Sequence, residues 1–195
     1  MTPPPPLRLG ILGSGRGSNF IAIADAIDAG TLPATIALVG SDHAHAHMLT
    51  EAKRRQLPTY ACPASAFKTK LEPELEHALA DALVAANVDI VVLAGYLRVV
   101  KAPLLSRFPN RIINIHPSLL PAFPGLKAWE QALNAGVPET GCTVHWVDEK
   151  IDHGPILGQE KVPILPHDTP ETLHARIQEA EHRLYPRILA TLANP

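Results

Sequence analysis

Cysteine is scarce: Cys62 and Cys142 are the two in 195 residues. Without C-x-x-C spacing or a second pair, neither a thiolate zinc site nor a disulfide framework has the residues it needs. An excess of one charge is also missing. The 17 Lys and Arg against 19 Asp and Glu leave −2, with no block of basic residues, so the electrostatic footprint of a nucleic-acid binder is absent. No stretch approaches the ~18 apolar residues of a membrane-spanning helix, and the opening Met-Thr-Pro-Pro-Pro-Pro has neither the basic flank nor the apolar core of a secretion signal. The expectation is a cytoplasmic protein that uses neither nucleic acid nor membrane as partner. Hydrophobic residues reach 46% and charged ones only 18%, enough apolar surface to offset the entropy of ordering. A chain of this length builds one substantial core more readily than two, so residues 7–195 read as a single domain behind a flexible proline tail at residues 1–6.

The pattern along the chain alternates between strand and helix. Leu7 to Leu12 is an apolar run that meets a glycine loop, Gly13-Ser-Gly-Arg-Gly-Ser-Asn19, followed by apolar residues at helical spacing from Phe20 to Ile27 and a stop at Gly30. Ala34–Val39, Thr59–Cys62 and Val88–Leu93 read as further strands, and His43–Gln56 and Pro73–Asn87 as helices. The last of these strands is continuously apolar and β-branched, which suits a sheet covered on both faces. These alternations predict an α/β fold, a doubly wound and mostly parallel sheet flanked by helices. Beyond Gly95 come a short helix at Ala102–Phe108, a strand at Arg111–His116, a helix at Leu126–Ala135 and strands at Thr140–Val147 and Pro155–Ile164. Thr169-Pro-Glu-Thr caps a closing helix that carries Pro186, a residue expected to kink it.

Two motifs carry chemistry. The glycine loop stands between a strand and a helix, where free backbone N–H groups and the helix dipole favour an anion. It lacks the lysine of a P-loop and departs from G-x-G-x-x-G at its last position, so one phosphate monoester suits it better than a nucleoside triphosphate or NAD. Asn114 and His116 end a strand on one face, at the rim where α/β sheets bind ligands. An amide that donates to an oxyanion and a ring that titrates near neutrality suit addition to a carbonyl. Asp152, in Ile151-Asp-His-Gly-Pro155, could complete the set, although spacing alone does not place it there. His43, His45 and His47 lack accompanying carboxylates or cysteines and read as solvated residues, so no metal is expected. The two cysteines read as small buried hydrophobes, and Trp129 and Trp146 as packing residues.

Taken together, Gly13-Ser-Gly-Arg-Gly-Ser-Asn19, Ala94-Gly-Tyr-Leu-Arg98, Asn114-Ile-His-Pro-Ser-Leu-Leu-Pro121, Phe123-Pro-Gly125 and Asp148-Glu-Lys-Ile-Asp-His-Gly-Pro155 resemble the phosphoribosylglycinamide formyltransferases, from about Leu7 to Leu192. The resemblance implies a Rossmann-like formyltransferase fold and a folate-dependent enzyme of de novo purine biosynthesis. Its reaction would pass the formyl group of 10-formyltetrahydrofolate, a co-substrate, to the amine of glycinamide ribonucleotide by direct attack through a tetrahedral intermediate, without a metal. It further implies that Asn114, His116 and Asp152 are catalytic, with Asp152 raising the His116 pKa, and that Gly15, Gly17, Ser18 and Asn19 hold the ribonucleotide phosphate while Glu181 contacts its ribose or glycinamide part. Leu97, Arg98, Val99, Val100, Asn114 and Asp148 would line the folate pocket. Two positions depart from the family pattern. Lys68 and Lys70 stand near the place of a folate-tail arginine, where either could serve a carboxylate as a point charge and Lys70 is the candidate contact, and Gly40-Ser-Asp-His43 replaces the usual Ser-Asn-Lys. A formyltetrahydrofolate hydrolase is the alternative, since it would turn the same Asn, His and Asp on water, and the working unit is expected to be a monomer or homodimer.

Overall fold

The computed structural model describes residues 5–193, so residues 1–4 of the expected tail lie outside the described residues. Within them the chain runs β1 (Leu7–Leu12), α1 (Ser18–Asp28), β2 (Ala34–Ser41), α2 (His47–Arg54), β3 (Thr59–Ala61), α3 (Pro73–Ala85) and β4 (Ile90–Leu93). It continues with α4 (Ala102–Arg107), β5 (Ile112–His116), α5 (Ala128–Ala135), β6 (Glu139–Trp146), β7 (Ile156–Pro163) and α6 (Pro170–Ala193). The strands form one sheet in the order β3-β2-β1-β4-β5-β6-β7. The first five are mutually parallel, and β6 runs antiparallel to both β5 and β7. A doubly wound, mostly parallel sheet is the expected architecture.

Period-two alternation divides the core between the faces. Leu9, Ile11, Val92, Ile113, Ile115 and Val144 pack under Phe20, Ile23, Met48 and the α6 residues Ile177, Leu184 and Tyr185. Leu12, Val91, Leu93 and Ile112 face the other way, against Leu79 and Leu83 of α3 and Leu104 of α4. Strand order reverses between β1 and β4, the switch point at which open α/β sheets form their ligand crevice. The loops leaving those two strands are knitted together there. Ser14 N–H donates to Gly95 O at 3.0 Å, and Leu97 N–H donates to Ser14 Oγ at 2.8 Å.

Helix α2 starts at His47, four residues later than the spacing predicts. Ser41 Oγ accepts from His43 N–H at 3.1 Å and His43 O from Ala46 N–H at 3.0 Å. Local turns of this kind compete with the helix for the backbone. At the other end, α6 continues through Pro186 without interruption. It is anchored on both sides of the proline by the buried Leu184, Tyr185, Ile188 and Leu189.

Candidate active site

Strand β5 brings Ile112, Asn114 and His116 to one side of the sheet. The loop after β6 folds Asp152 over its end, so the arrangement that spacing left open is made by the fold. His116 Nδ1 lies 3.3 Å from Asp152 Oδ2. His116 Nε2 lies 2.9 Å from Phe123 O, and Asp152 Oδ2 also accepts from Gly125 N–H at 2.8 Å. The proline-rich loop after His116 therefore holds both members of the pair. His116 is 4% exposed, and burial holds its pKa below the ordinary histidine value, opposed by the Asp152 carboxylate and the Phe123 carbonyl. Asp152 acts on the ring in the expected direction, raising its pKa, but desolvation outweighs the carboxylate and the net shift is downward. Burial likewise pushes Asp152 up, yet His145, His116 and the Gly125 N–H together hold it below the usual carboxylate range.

Sequence reasoning missed His145. The β5–β6 register sets it directly opposite Asn114, with Asn114 Nδ2 3.3 Å from His145 Nε2 and Asp152 Oδ1 3.7 Å from the same nitrogen. His145 Nδ1 is 2.8 Å from Trp146 O, an acceptor, so Nδ1 carries a proton and Nε2 is the atom in contact with the Asn114 amide. That contact orients the amide, leaving its second N–H free to donate. A histidine at an inward position of a strand was the available signal, but only the pairing register links it to Asn114.

The expected phosphate loop opens α1. Gly17 has φ 79°, and an added Cβ there would lie 2.9 Å from Met48 Cβ, so glycine is required by both conformation and space. Gly15 O accepts from Met48 N–H at 3.1 Å, while Arg16 and Ser18 border an open hollow shared with Ile21 and His47. Asn19, in the first turn of α1, donates from Nδ2 to Glu181 Oε2 at 2.8 Å, joining the glycine loop to α6 across 162 residues of sequence. Both side chains are buried and Asn19 Oδ1 has no partner. Burial pushes the Glu181 carboxyl up to about 7, with the Asn19 amide opposing. On the next turn of α6, the Tyr185 hydroxyl reaches Leu93 O at 3.0 Å and Ile113 O at 3.2 Å. The helix that carries Glu181 is thereby tied to the strands that carry the other groups.

Among the residues expected to line the folate pocket, Leu97 stands in the open at 63% exposure, and Val100 is buried in the core beside α4. Arg98 turns its side chain away, onto Asp42, and Val99 N–H donates to Thr69 O at 2.8 Å. Asp148 spends its carboxylate within its own loop, on Lys150 N–H and His153 Nδ1, while Ile151 in that loop is exposed. Lys70 is exposed, with Nζ 4.6 Å above the Phe67 ring. Burial pushes the Cys62 thiol up to about 11 and that of Cys142 up to about 12, unsuited to nucleophilic work. His43, His45 and His47 are exposed, and no group of three or more His, Cys, Asp or Glu among the described residues could hold a metal ion. No helix among them is long and apolar enough to cross a membrane.

Residues 7–189 match the formyl transferase family. The phosphoribosylglycinamide formyltransferase of Haemophilus influenzae is 41% identical over 182 residues, covering 93% of this chain and 85% of that protein. The Bacillus subtilis protein of the same name is 40% identical over 185 residues, covering 95% and 94%. Among solved structures, glycinamide ribonucleotide transformylase 1 from Symbiobacterium toebii superposes with a TM-score of 0.92 at 46% identity, over 97% of this chain and 89% of that one.

Proposed function

The chain belongs to the formyl transferase family, and on that premise we propose how its residues divide the work of the reaction. It is a folate-dependent formyltransferase of purine biosynthesis, taking the formyl group of 10-formyltetrahydrofolate and delivering it to the amine of glycinamide ribonucleotide. The cluster of Asn114, His116 and Asp152 at the end of β5 is the observation that carries the assignment of roles. A formyl carbon under attack by an amine develops negative charge on its oxygen and must lose an amine proton. Asn114, its amide fixed by His145, supplies one N–H to that oxygen. His116 supplies a proton. Its two nitrogens face a carbonyl and a carboxylate, both acceptors, so the protonated ring satisfies both partners. Burial makes that protonated ring a stronger acid, suited to protonating the departing folate nitrogen. Asp152, ionised and next to the ring, balances its charge and accepts the amine proton through water.

The donor suits the residues present: Leu97, in the loop that leaves β4, and Ile151, next to Asp152 in the chain, offer exposed apolar contacts. The backbone of Leu97–Val100 and of the Asp148 loop offers polar groups for the pterin. Gly15, Gly17, Ser18 and Asn19 hold the phosphate, and Glu181 accepts from the ribose or glycinamide part. The buried Asn19–Glu181 pair favours the transferase over a formyltetrahydrofolate hydrolase, since water as acceptor has no use for it. A monomer or homodimer working in the cytoplasm completes the proposal. The test is substitution: Asn114→Ala, His116→Ala and Asp152→Asn each lower kcat by ~10² to 10³, while calorimetric affinity for the ribonucleotide stays within a few-fold. Full turnover in any of the three would overturn its role.

A further inference from the structure

Between β3 and α3 the chain crosses the surface as a strap. Its hydrogen bonds converge on one guanidinium. Arg98, in the segment that leaves β4, donates from Nη1 to Phe67 O and reaches Lys70 O at 3.5 Å, and the next residue, Val99, bonds Thr69 O. Nε of the same side chain lies 2.5 Å from Asp42 Oδ2, at the end of β2. This ion pair is enclosed, with side-chain exposures of 8% for Arg98 and 0% for Asp42. His43 touches the same carboxylate oxygen from the surface at 3.5 Å, and Asp42 Oδ1 has no partner. The strap adds ties of its own, Glu72 Oε1 accepting from Ala66 N–H and Ser65 Oγ bracketing Phe67. What it presents outward is Phe67 with the Lys70 ammonium above its ring.

A flexible lysine is a point charge with no geometry of its own, so where Lys70 sits depends on its backbone. That backbone depends on Arg98. We propose that Arg98, pinned by the buried Asp42, is a positioning residue that holds the strap and thereby selects formyl donors whose tail carries a carboxylate. The proposal rests on the reading of Lys70 as the folate-tail contact, and it assigns to Asp42 and to the Arg98 side chain a role that neither plays by touching the donor. A lysine in place of Arg98 cannot bond Asp42 and both strap carbonyls at once. An asparagine in place of Asp42 removes the charge that holds the fork.

The experiment compares KM for 10-formyltetrahydrofolate with KM for its pteroyl amide analogue, which replaces the glutamate with an uncharged amide and carries no carboxylate, in the wild type and in Asp42→Asn, Arg98→Lys and Lys70→Ala. Calorimetric ribonucleotide binding confirms that each variant is folded, and Arg98→Lys decides if Asp42→Asn is not. The preference for the tailed donor falls about tenfold in both strut variants, as the loss of one positioned charge contact would produce. If the preference falls only in Lys70→Ala, the tail contact stands and the strut is wrong. If it falls in the strut variants and not in Lys70→Ala, positioning stands and the tail is read by another strap group. If both donors weaken equally in the strut variants, the pair merely supports the fold and the proposal fails.

Discussion

Glu181→Gln tests the buried pair that joins the glycine loop to α6. In the folded protein the Glu181 carboxyl ionises near 7, against an ordinary glutamate value of 4.5. Between these values the folded state retains a proton that the unfolded chain releases, so stability falls as pH rises through the interval. At 1.36 kcal/mol for each tenfold change in proton concentration, the loss reaches about 3 kcal/mol above pH 7. Glutamine has no charge to bury and keeps a carbonyl for the Asn19 amide, so the variant should match the wild type near pH 4. By pH 8 it should exceed the wild type by up to about 3 kcal/mol. Urea denaturation across pH 4 to 8 measures the difference. The same change weakens the ribonucleotide by ~10- to 100-fold, through loss of a charged acceptor. A carboxylate retained at this cost is a site held for binding rather than for stability. A Gln variant less stable than wild type at pH 8, or one with the wild-type pH slope, would refute the reasoning.

NMR titration of His116 should give a value below 6.5, because burial opposes the charged ring, and a lower one still in Asp152→Asn, which removes an opposing attraction; a value above 6.5 would contradict both. His145→Ala strips the Asn114 amide and Asp152 of a shared partner. It should lower kcat ~10- to 100-fold with little change in ribonucleotide affinity, and an unchanged kcat would remove His145 from the account. Gly17→Ala places a Cβ against Met48 at a φ of 79°. It should cost about 2 kcal/mol and several degrees of Tm and weaken the phosphate site; a neutral melt would show that the loop relaxes freely.

Local signals went a long way. Strand and helix order, the glycine loop and the polar end of β5 follow from alternation, helical spacing and glycine stops, all within a few residues of one another. What the residues alone left open depends on pairings that have no local signature. The β5–β6 register puts His145 opposite Asn114, and the Asn19–Glu181 contact spans 162 positions. Arg98 shows the limit of reading a role from position: the family resemblance sets it in the folate segment, but the buried Asp42 draws its side chain inward. His116 shows another limit. Its neighbour Asp152 was foreseeable, yet the sign of its pKa shift turns on how deeply the ring is buried, which only the packed loop at Phe123 and Gly125 reveals.

The most direct test follows consumption of 10-formyltetrahydrofolate by the wild-type protein with glycinamide ribonucleotide, with water alone, and with the glycinamide riboside that lacks the phosphate. The account predicts rapid loss of donor with the ribonucleotide, slow loss with the riboside and none with water, with formylglycinamide ribonucleotide formed in equal amount. Donor loss in water alone, or equal rates with and without the phosphate, would contradict it.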